Sequence, residues 1–399
     1  MQKITMSARD EVINKQRYRY SKATKKEKSL ILNTVCQSTG LSRDRAARLL
    51  RATSSRKDMS KKGRSGRKTK YGSDIVILLT RIWHIMDNIS SKRLAAGMPI
   101  VLDALMRHGE MKISEEDHQR LCQMSPATID RLLKAERQRF NFKGKSTTKP
   151  GTLLRKDIPI RTGTDWNENT PGFCEVDLVA HCGESTAGEY VNTLDVTDIY
   201  TGWTEAAASK NKAQRHVFAA LLEIRERLPF ALKGIDSDNG AEFINAELYR
   251  YCLKEHIVFT RSRPYRKNDN CHVEQKNWSL VRRNIGYARY EGQEATDLLN
   301  RYYQLLGLYS NYFLPSMKLQ EKTRDGATVK KVYDAAKTPF QRLLDSGTLT
   351  DEKAAQMKAF FLTLNPVQLK RVMIELLTEL QTHEIKSSLQ QTSSRGGWQ

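Results

Sequence analysis

No stretch of this 399-residue chain reaches the roughly 20 apolar residues needed to cross a bilayer, so a membrane-spanning role is not expected. The opening residues, Met1-Gln-Lys-Ile-Thr-Met-Ser7, carry no apolar signal core. Cysteine is sparse and scattered, at positions 36, 122, 174, 182, 252 and 271, with no CxxC pair. That spacing argues against a zinc ribbon or a disulfide framework and for a reducing, cytoplasmic setting. Acidic residues are also in short supply, 45 against 67 Lys and Arg, for a formal charge of +22. The 39% hydrophobic content suffices for real cores, while a mean hydropathy of −0.61 implies polar linkers or exposed helices as well.

The positive charge is concentrated. Residues 1–70 hold 21 Lys and Arg against 5 Asp and Glu. A block of that density attracts a polyanion, because neutralising phosphates releases counterions; its plainer reading is a solvated tail. Residues 25–53 read as two short helices around a turn at Gly40. Ser42 can cap the second helix, whose outer face carries Arg43, Arg45, Arg48 and Arg51. This pattern predicts a helix-turn-helix with a basic helix suited to a DNA groove, although any small helical hairpin looks similar. The following Lys61-Lys-Gly-Arg64-Ser-Gly-Arg67-Lys68 is a flexible cationic segment able to follow a phosphate backbone. A second helical region begins at residue 73. Within it Ser114 and Ser125 can cap successive helices, the latter starting with Pro126 and flanked by Arg131 and Lys134, a second helix-turn-helix candidate.

The character changes at residue 171. Strand-like runs fall at 173–181, 189–197, 202–208, 232–237 and 257–261, and helical patterns at 212–228, 241–255, 271–287 and 294–312. Three strands joined by short turns, then strands alternating with helices, predict a five-stranded mixed sheet flanked by helices. The expected division is 1–60 basic arm and first helix-turn-helix, 61–72 basic linker, 73–142 second DNA-binding domain, 143–170 linker, 171–313 catalytic core, 314–386 helical region and 387–399 disordered tail. In the helical region Asn365 caps a long helix with Leu369, Val372, Met373, Leu376 and Leu380 on one face, which could cover the core or bind another protomer.

Three carboxylates stand out in the core. Asp177 lies in an apolar run, Phe173-Cys-Glu-Val-Asp-Leu-Val-Ala180. Asp238 opens Asp238-Asn-Gly-Ala-Glu-Phe243 after a second strand. Glu274 begins a helix, with thirty-five residues between it and Asp238, in Cys271-His-Val-Glu-Gln-Lys-Asn-Trp278. A buried carboxylate is costly unless a cation or hydrogen bonds satisfy it. Three converging would make an oxygen-lined seat for Mg²⁺ or Mn²⁺.

The neighbours divide. Glu175 points to the same sheet face as Asp177 and is assigned an edge or solvent role in preference to tuning the site. Asp236 competes with Asp238, which is preferred for its Asn239-Gly240 turn, with Gly240 supplying backbone freedom. Asn277 and Trp278 share a helical face with Glu274; Asn277 is expected on DNA and Trp278 in the core. Lys276, Arg282 and Arg283 could grip phosphates or form a solvated basic face. His272 is read as neither ligand nor shuttle.

These elements and motifs, over residues 171–313, resemble the ribonuclease H-like catalytic core of retroviral integrases and bacterial insertion-sequence transposases. The segment Tyr309-Ser-Asn-Tyr-Phe-Leu-Pro-Ser-Met-Lys318 is similar to the segment after the core in the bacterial enzymes. The resemblance implies that Asp177, Asp238 and Glu274 form a metal-binding triad holding two ions. It further implies a DNA transposase that frees 3′-OH ends and joins them to target duplex DNA as at least a homodimer, nucleoid-associated. The retroviral members carry a zinc-binding His/Cys set before the core; none is present here, so zinc is not expected. A ribonuclease H-fold nuclease and a DNA-binding regulator on an integrase-like scaffold are the alternatives. The first needs no end-binding domains, and the second would be marked by a broken triad.

Overall fold

The structure is a computed structural model that describes residues 5–52, 70–139, 160–161, 168–238, 240, 242–243, 245–262, 271–325 and 328–385. Arg64, Arg67, Asn239, most of the 143–170 linker and the tail from 386 lie outside the described residues. The chain divides into two compact units, Met1–Lys70 and Tyr71–Gln399.

The first unit is a three-helix cluster. Helices α2 (Lys25–Thr39) and α3 (Arg43–Arg51) fall where the apolar spacing put them, and Gly40 takes the left-handed conformation, φ 69°, that ends α2. Ser42 precedes α3 in extended backbone but makes no side-chain cap bond. A further helix precedes them, α1 (Met6–Lys22), where only a basic arm was expected. Ile13 and Tyr20 of α1 close a core with Leu32, Val35, Ala46 and Leu50. Arg43, Arg45, Arg48 and Arg51 are exposed.

The second unit opens with α4 (Ser73–Ile85), α5 (Ser91–Arg107), α6 (Glu115–Cys122), α7 (Pro126–Leu132) and α8 (Lys134–Gln138). Ser114 and Ser125 accept the backbone N–H groups of Asp117 and Thr128, the capping role assigned to them. The helix begun by Pro126 is interrupted at Leu133 rather than continuous. Arg131 and Lys134 are exposed.

The sheet comes next: β1 (Ile160–Arg161), β2 (Phe173–Ala180), β3 (Asn192–Asp198), β4 (Thr204–Ser209), β5 (Gly234–Ser237) and β6 (Val258–Ser262), in spatial order β1-β6-β5-β2-β3-β4. Strands β2, β3 and β4 are antiparallel; β2, β5, β6 and β1 run parallel. The five expected strands are present, and the two-residue β1 extends the edge beside β6.

The two faces of the sheet differ sharply, because side chains alternate along each strand. One face is apolar: Cys174, Val176, Leu194, Val196, Ala207, Ile235 and Phe259 pack against α9 (Gln214–Arg227) and α10 (Ala246–Lys254). The other carries Glu175, Asp177, Asp195 and Asp236 on neighbouring strands. Over it run α11 (Cys271–Lys276), a π-helical stretch (Asn277–Arg282) and a last turn, α12 (Arg283–Ile285), and then the long α13 (Gly292–Phe313). Val179, Ala206 and Ala208 join the core that α13 shares with α4 and α5.

After α13 the chain forms a two-stranded ribbon, β7 (Leu319–Asp325) and β8 (Thr328–Tyr333), in a stretch of irregular pattern within the 314–386 region expected to be helical. Helices α14 (Pro339–Asp345), α15 (Asp351–Thr363) and α16 (Pro366–Thr382) complete the unit. Asn365 caps α16 as expected, accepting from Val367 and Gln368. Met373, Leu376 and Leu380 are buried in the core containing α13, so the apolar face of α16 covers this unit. No helix among the described residues is long and apolar enough to cross a membrane.

Candidate active site

Register brings Asp177 and Asp238 together. In the parallel β2–β5 pair Glu175 faces Asp236 and Val176 faces Ser237, so Asp238, one residue beyond β5, arrives beside Asp177. Desolvation first, and the charge of Asp238 second, push the Asp177 carboxyl up to about 8. Desolvation also raises Asp238, opposed by the N–H of Gly240, which donates to its Oδ1 at 2.8 Å.

Each carboxylate is held in place. The backbone N–H of Leu178 donates to Asp177 Oδ1 at 2.8 Å, and Asn277 Nδ2 donates to Asp177 Oδ2 at 2.6 Å. Asn277, expected on DNA, is therefore bonded to the carboxylate itself. Gly240 does not take a positive φ. Its need is for space: a Cβ there would lie 2.9 Å from Asp238 Oδ1 and 2.7 Å from the Glu242 carboxyl carbon.

Glu175 corrects a sequence expectation. It is fully buried rather than at an edge, and its Oε2 accepts the Val273 N–H at 2.8 Å. The bond seats the first turn of α11 on β2, where a carboxylate also favours the positive end of a helix. Asp236 is likewise buried, accepting from the Thr260 hydroxyl.

Glu274 sits on that first turn of α11 with its side chain exposed. Among the described residues no three His, Cys, Asp or Glu side chains are grouped to hold one metal ion. What the structure brings together is the pair Asp177 and Asp238, with Glu274 outside it. The donor set nonetheless fits a hard divalent cation: the pair presents carboxylate oxygens only, and a cation would relieve the repulsion that raises Asp177.

Several other neighbours are placed differently from expectation. Lys276, read as a phosphate contact, turns its ammonium inward to the Gly202 carbonyl at 3.2 Å. Burial, then Arg93, lowers it to about 8, with Asp195 opposing. Arg282 donates to the Ala180 carbonyl at 2.9 Å and Arg283 to that of Asp87 at 2.6 Å, so both tie the helix down. Trp278 is 52% exposed, not in the core.

Asp195 was missed. It stands directly opposite Asp177 in the β2–β3 register and is fully buried. Desolvation raises it to about 7 against the pull of Lys276. The signal that selected Asp177, an acid inside an apolar strand run, is weaker here, since in Asn192-Thr-Leu-Asp-Val-Thr-Asp198 only Leu194 and Val196 are apolar.

No family model matches the chain. It is 39% identical over 340 residues to the uncharacterised protein y4rM of Sinorhizobium fredii, covering 85% of this chain and 96% of that one. The chain belongs to the y4rM family. Among solved structures, the magnesium complex of the HTLV-2 integrase catalytic core is 16% identical, covering 37% of this chain and 91% of that one, TM-score 0.28. The BIV integrase catalytic core is 18% identical, covering 44% and 94%, TM-score 0.30. The simian T-cell lymphotropic virus intasome is 15% identical, covering 52% and 68%, TM-score 0.29. These overlaps are weak. For the y4rM family the site rests on this chain's own geometry.

Proposed function

We propose that this chain is a DNA transposase, a polynucleotidyl transferase that binds the ends of a mobile element, frees 3′-OH groups and joins them to target DNA. The observation that carries the reading is the juxtaposition of Asp177 and Asp238 at neighbouring positions of two parallel strands. Asp177, Asp238 and Glu274 are the proposed holders of magnesium or manganese, two ions per site. When bound, such ions stabilise charge on the attacking and leaving oxygens of a phosphodiester and lower the pKa of water.

The chain's own contribution is positioning. Asn277 and the Leu178 N–H orient Asp177, while the Gly240 N–H orients Asp238. Glu175 seats the first turn of the helix that carries Glu274. No covalent protein–DNA intermediate is required, so no nucleophilic side chain is assigned. Arg43, Arg45 and Arg48 are proposed to hold element ends, with Arg131 and Lys134 a second cationic surface and Arg64 and Arg67 a third contact. Coordinated cutting of two ends calls for at least a dimer on DNA.

The test is to incubate the full chain with a labelled element end, a target plasmid and Mg²⁺. Joined products are expected, and Asp238→Asn should abolish them while DNA binding persists. Nicking without joining would make the chain a nuclease; a mobility shift without cleavage would make it a DNA-binding regulator.

A further inference from the structure

We infer that a cavity bordering the Asp177–Asp238 pair takes one unpaired nucleobase bearing an exocyclic amino group, from the DNA strand that reaches the pair. The cavity, of about 510 Å³, lies between the β2–β3 loop and the start of α9, with Glu242 on a third side. The point that a methyl on Gly240 would occupy is 2.7 Å from the Glu242 carboxyl carbon and 2.9 Å from Asp238 Oδ1, so that side adjoins the pair. The walls are held in advance of any ligand. Arg289 donates to the carbonyls of Cys182, Ser185, Ala187 and Glu189 at 2.7–3.2 Å, fixing the loop. Asn211 joins loop to helix: its Nδ2 donates to Glu189 Oε1 at 3.0 Å, and its Oδ1 accepts the Ala213 N–H at 3.0 Å. A pocket so fixed loses little binding energy to its own ordering.

What the cavity presents is hydrogen-bond acceptors. Asn192, 3% exposed, lines it. Its Nδ2 donates to the Tyr190 carbonyl at 2.9 Å, which fixes the amide orientation and leaves Oδ1 with no hydrogen bond among the described residues. A buried amide oxygen is costly until something donates to it. Glu189 Oε2 also has no partner among the described residues, and the Glu242 carboxylate adds further acceptors. Two carboxylates against the ammonium of Lys212 repel phosphate, so the DNA backbone stays outside. A duplex does not fit a pocket of this volume; a base rotated out of the stack does, and its pairing edge is then open to be read. Adenine and cytosine carry amino donors where thymine carries its O4 acceptor, and a carboxylate accepts from cytosine N4. The acceptor-lined cavity therefore selects amino-bearing bases against thymine.

The inference rests on the reading of the chain as a DNA-acting enzyme, but its test needs no catalysis. Full-length chain is titrated in EDTA with duplexes ending in a short fork of unpaired nucleotides on both strands, all dC or all dT, and with the blunt duplex. The dC fork is expected to bind about 5–150-fold more tightly than the dT fork, the discrimination of one well-made base-edge contact. Ala213→Trp fills the cavity mouth from an exposed residue in extended backbone, and should make the two forks equal while blunt-duplex affinity holds. Glu242→Ala, which removes acceptors without filling space, should cut the same preference. Equal binding of the two forks by the unaltered chain, or a dC preference that survives both substitutions, overturns the inference. A chain that joins strands yet binds both forks alike would keep the transposase and lose the pocket. A dC preference in a chain that never cleaves would keep the pocket without the transposase.

Discussion

Asn277 donates its amide N–H to Asp177 Oδ2 at 2.6 Å, across 100 residues of sequence and from the first residue of a π-helical stretch. A hydrogen bond to a charged group contributes about 1.5–3 kcal/mol, and here its main effect is orientation. Asn277→Ala is expected to lower strand cleavage about 10–100-fold, the range typical when a residue supporting a ligand is removed. Duplex binding should be unchanged. Asn277→Asp, which sets another carboxylate against Asp177, should be worse. Steady-state cleavage with a parallel binding isotherm checks both; undiminished cleavage by Asn277→Ala would mean that Asp177 needs no such support.

Glu175 joins strand and helix through its bond to the Val273 N–H. Glu175→Ala removes the acceptor and should cost about 1–3 kcal/mol in urea unfolding, the penalty of an unsatisfied buried donor. Gln at this position keeps a side-chain oxygen and should recover most of that loss. Amide exchange decides the mechanism: residues 273–276 should exchange faster in the Ala variant while β2 stays protected. Unaltered exchange there would show that α11 is seated by something else.

The sheet and its flanking helices were legible because their apolar faces are strong. Each expected strand and helix of the core lies within a few residues of its place, although β3 and α10 start later than expected. The β7–β8 ribbon was not legible, since its apolar residues Leu319, Val329, Val332 and Tyr333 are exposed and no buried face imposes an alternation on them. Glu175 was misread for the opposite reason. It is a charged residue in a core, stabilised by a helix amide ninety-eight positions away, and local pattern carries no trace of that. Trp278 was misplaced by periodicity: the π stretch adds a residue to the turn, so positions after 277 rotate away from the faces that an α-helix would give them. The inward turn of Lys276 depends on the β3–β4 carbonyl it meets, which no spacing within the helix encodes.

Gly240 is constrained by its neighbours' carboxylates. An added methyl would lie 2.9 Å from Asp238 Oδ1 and 2.7 Å from the Glu242 carboxyl carbon, so one of them must move. Displacements near 1 Å at a reacting centre can cost about 10²-fold. Gly240→Ala is therefore expected to lose cleavage on that scale, with circular dichroism and duplex affinity preserved. Wild-type cleavage by this variant would place Asp238 outside the chemistry.

Desolvation holds Asp177, Asp195 and Glu205 above the ordinary carboxylate range, at about 8, 7 and 7, with the charge of Asp238 adding to the shift at Asp177. Between their ordinary values near about 4 and these raised ones, the folded chain binds more protons than the unfolded chain. Stability without divalent cations should therefore fall as pH rises from about 4 to 8. Lys276, lowered to about 8 chiefly by burial, acts the other way. The unfolded lysine keeps its proton to about 10.4, so its contribution grows as pH rises above 8 and is lost as pH falls through that value. The cation-free protein should accordingly show a stability minimum near pH 8. A cation on the Asp177–Asp238 pair favours the ionised carboxylates, so Mn²⁺ should raise the melting temperature more at pH 8 than at pH 5. Asp177→Asn/Asp238→Asn should abolish that increment and flatten part of the pH slope. Thermal melts in EDTA and in Mn²⁺ across this range are sufficient; an equal Mn²⁺ effect at both pH values, or one that survives the double substitution, would place the cation elsewhere.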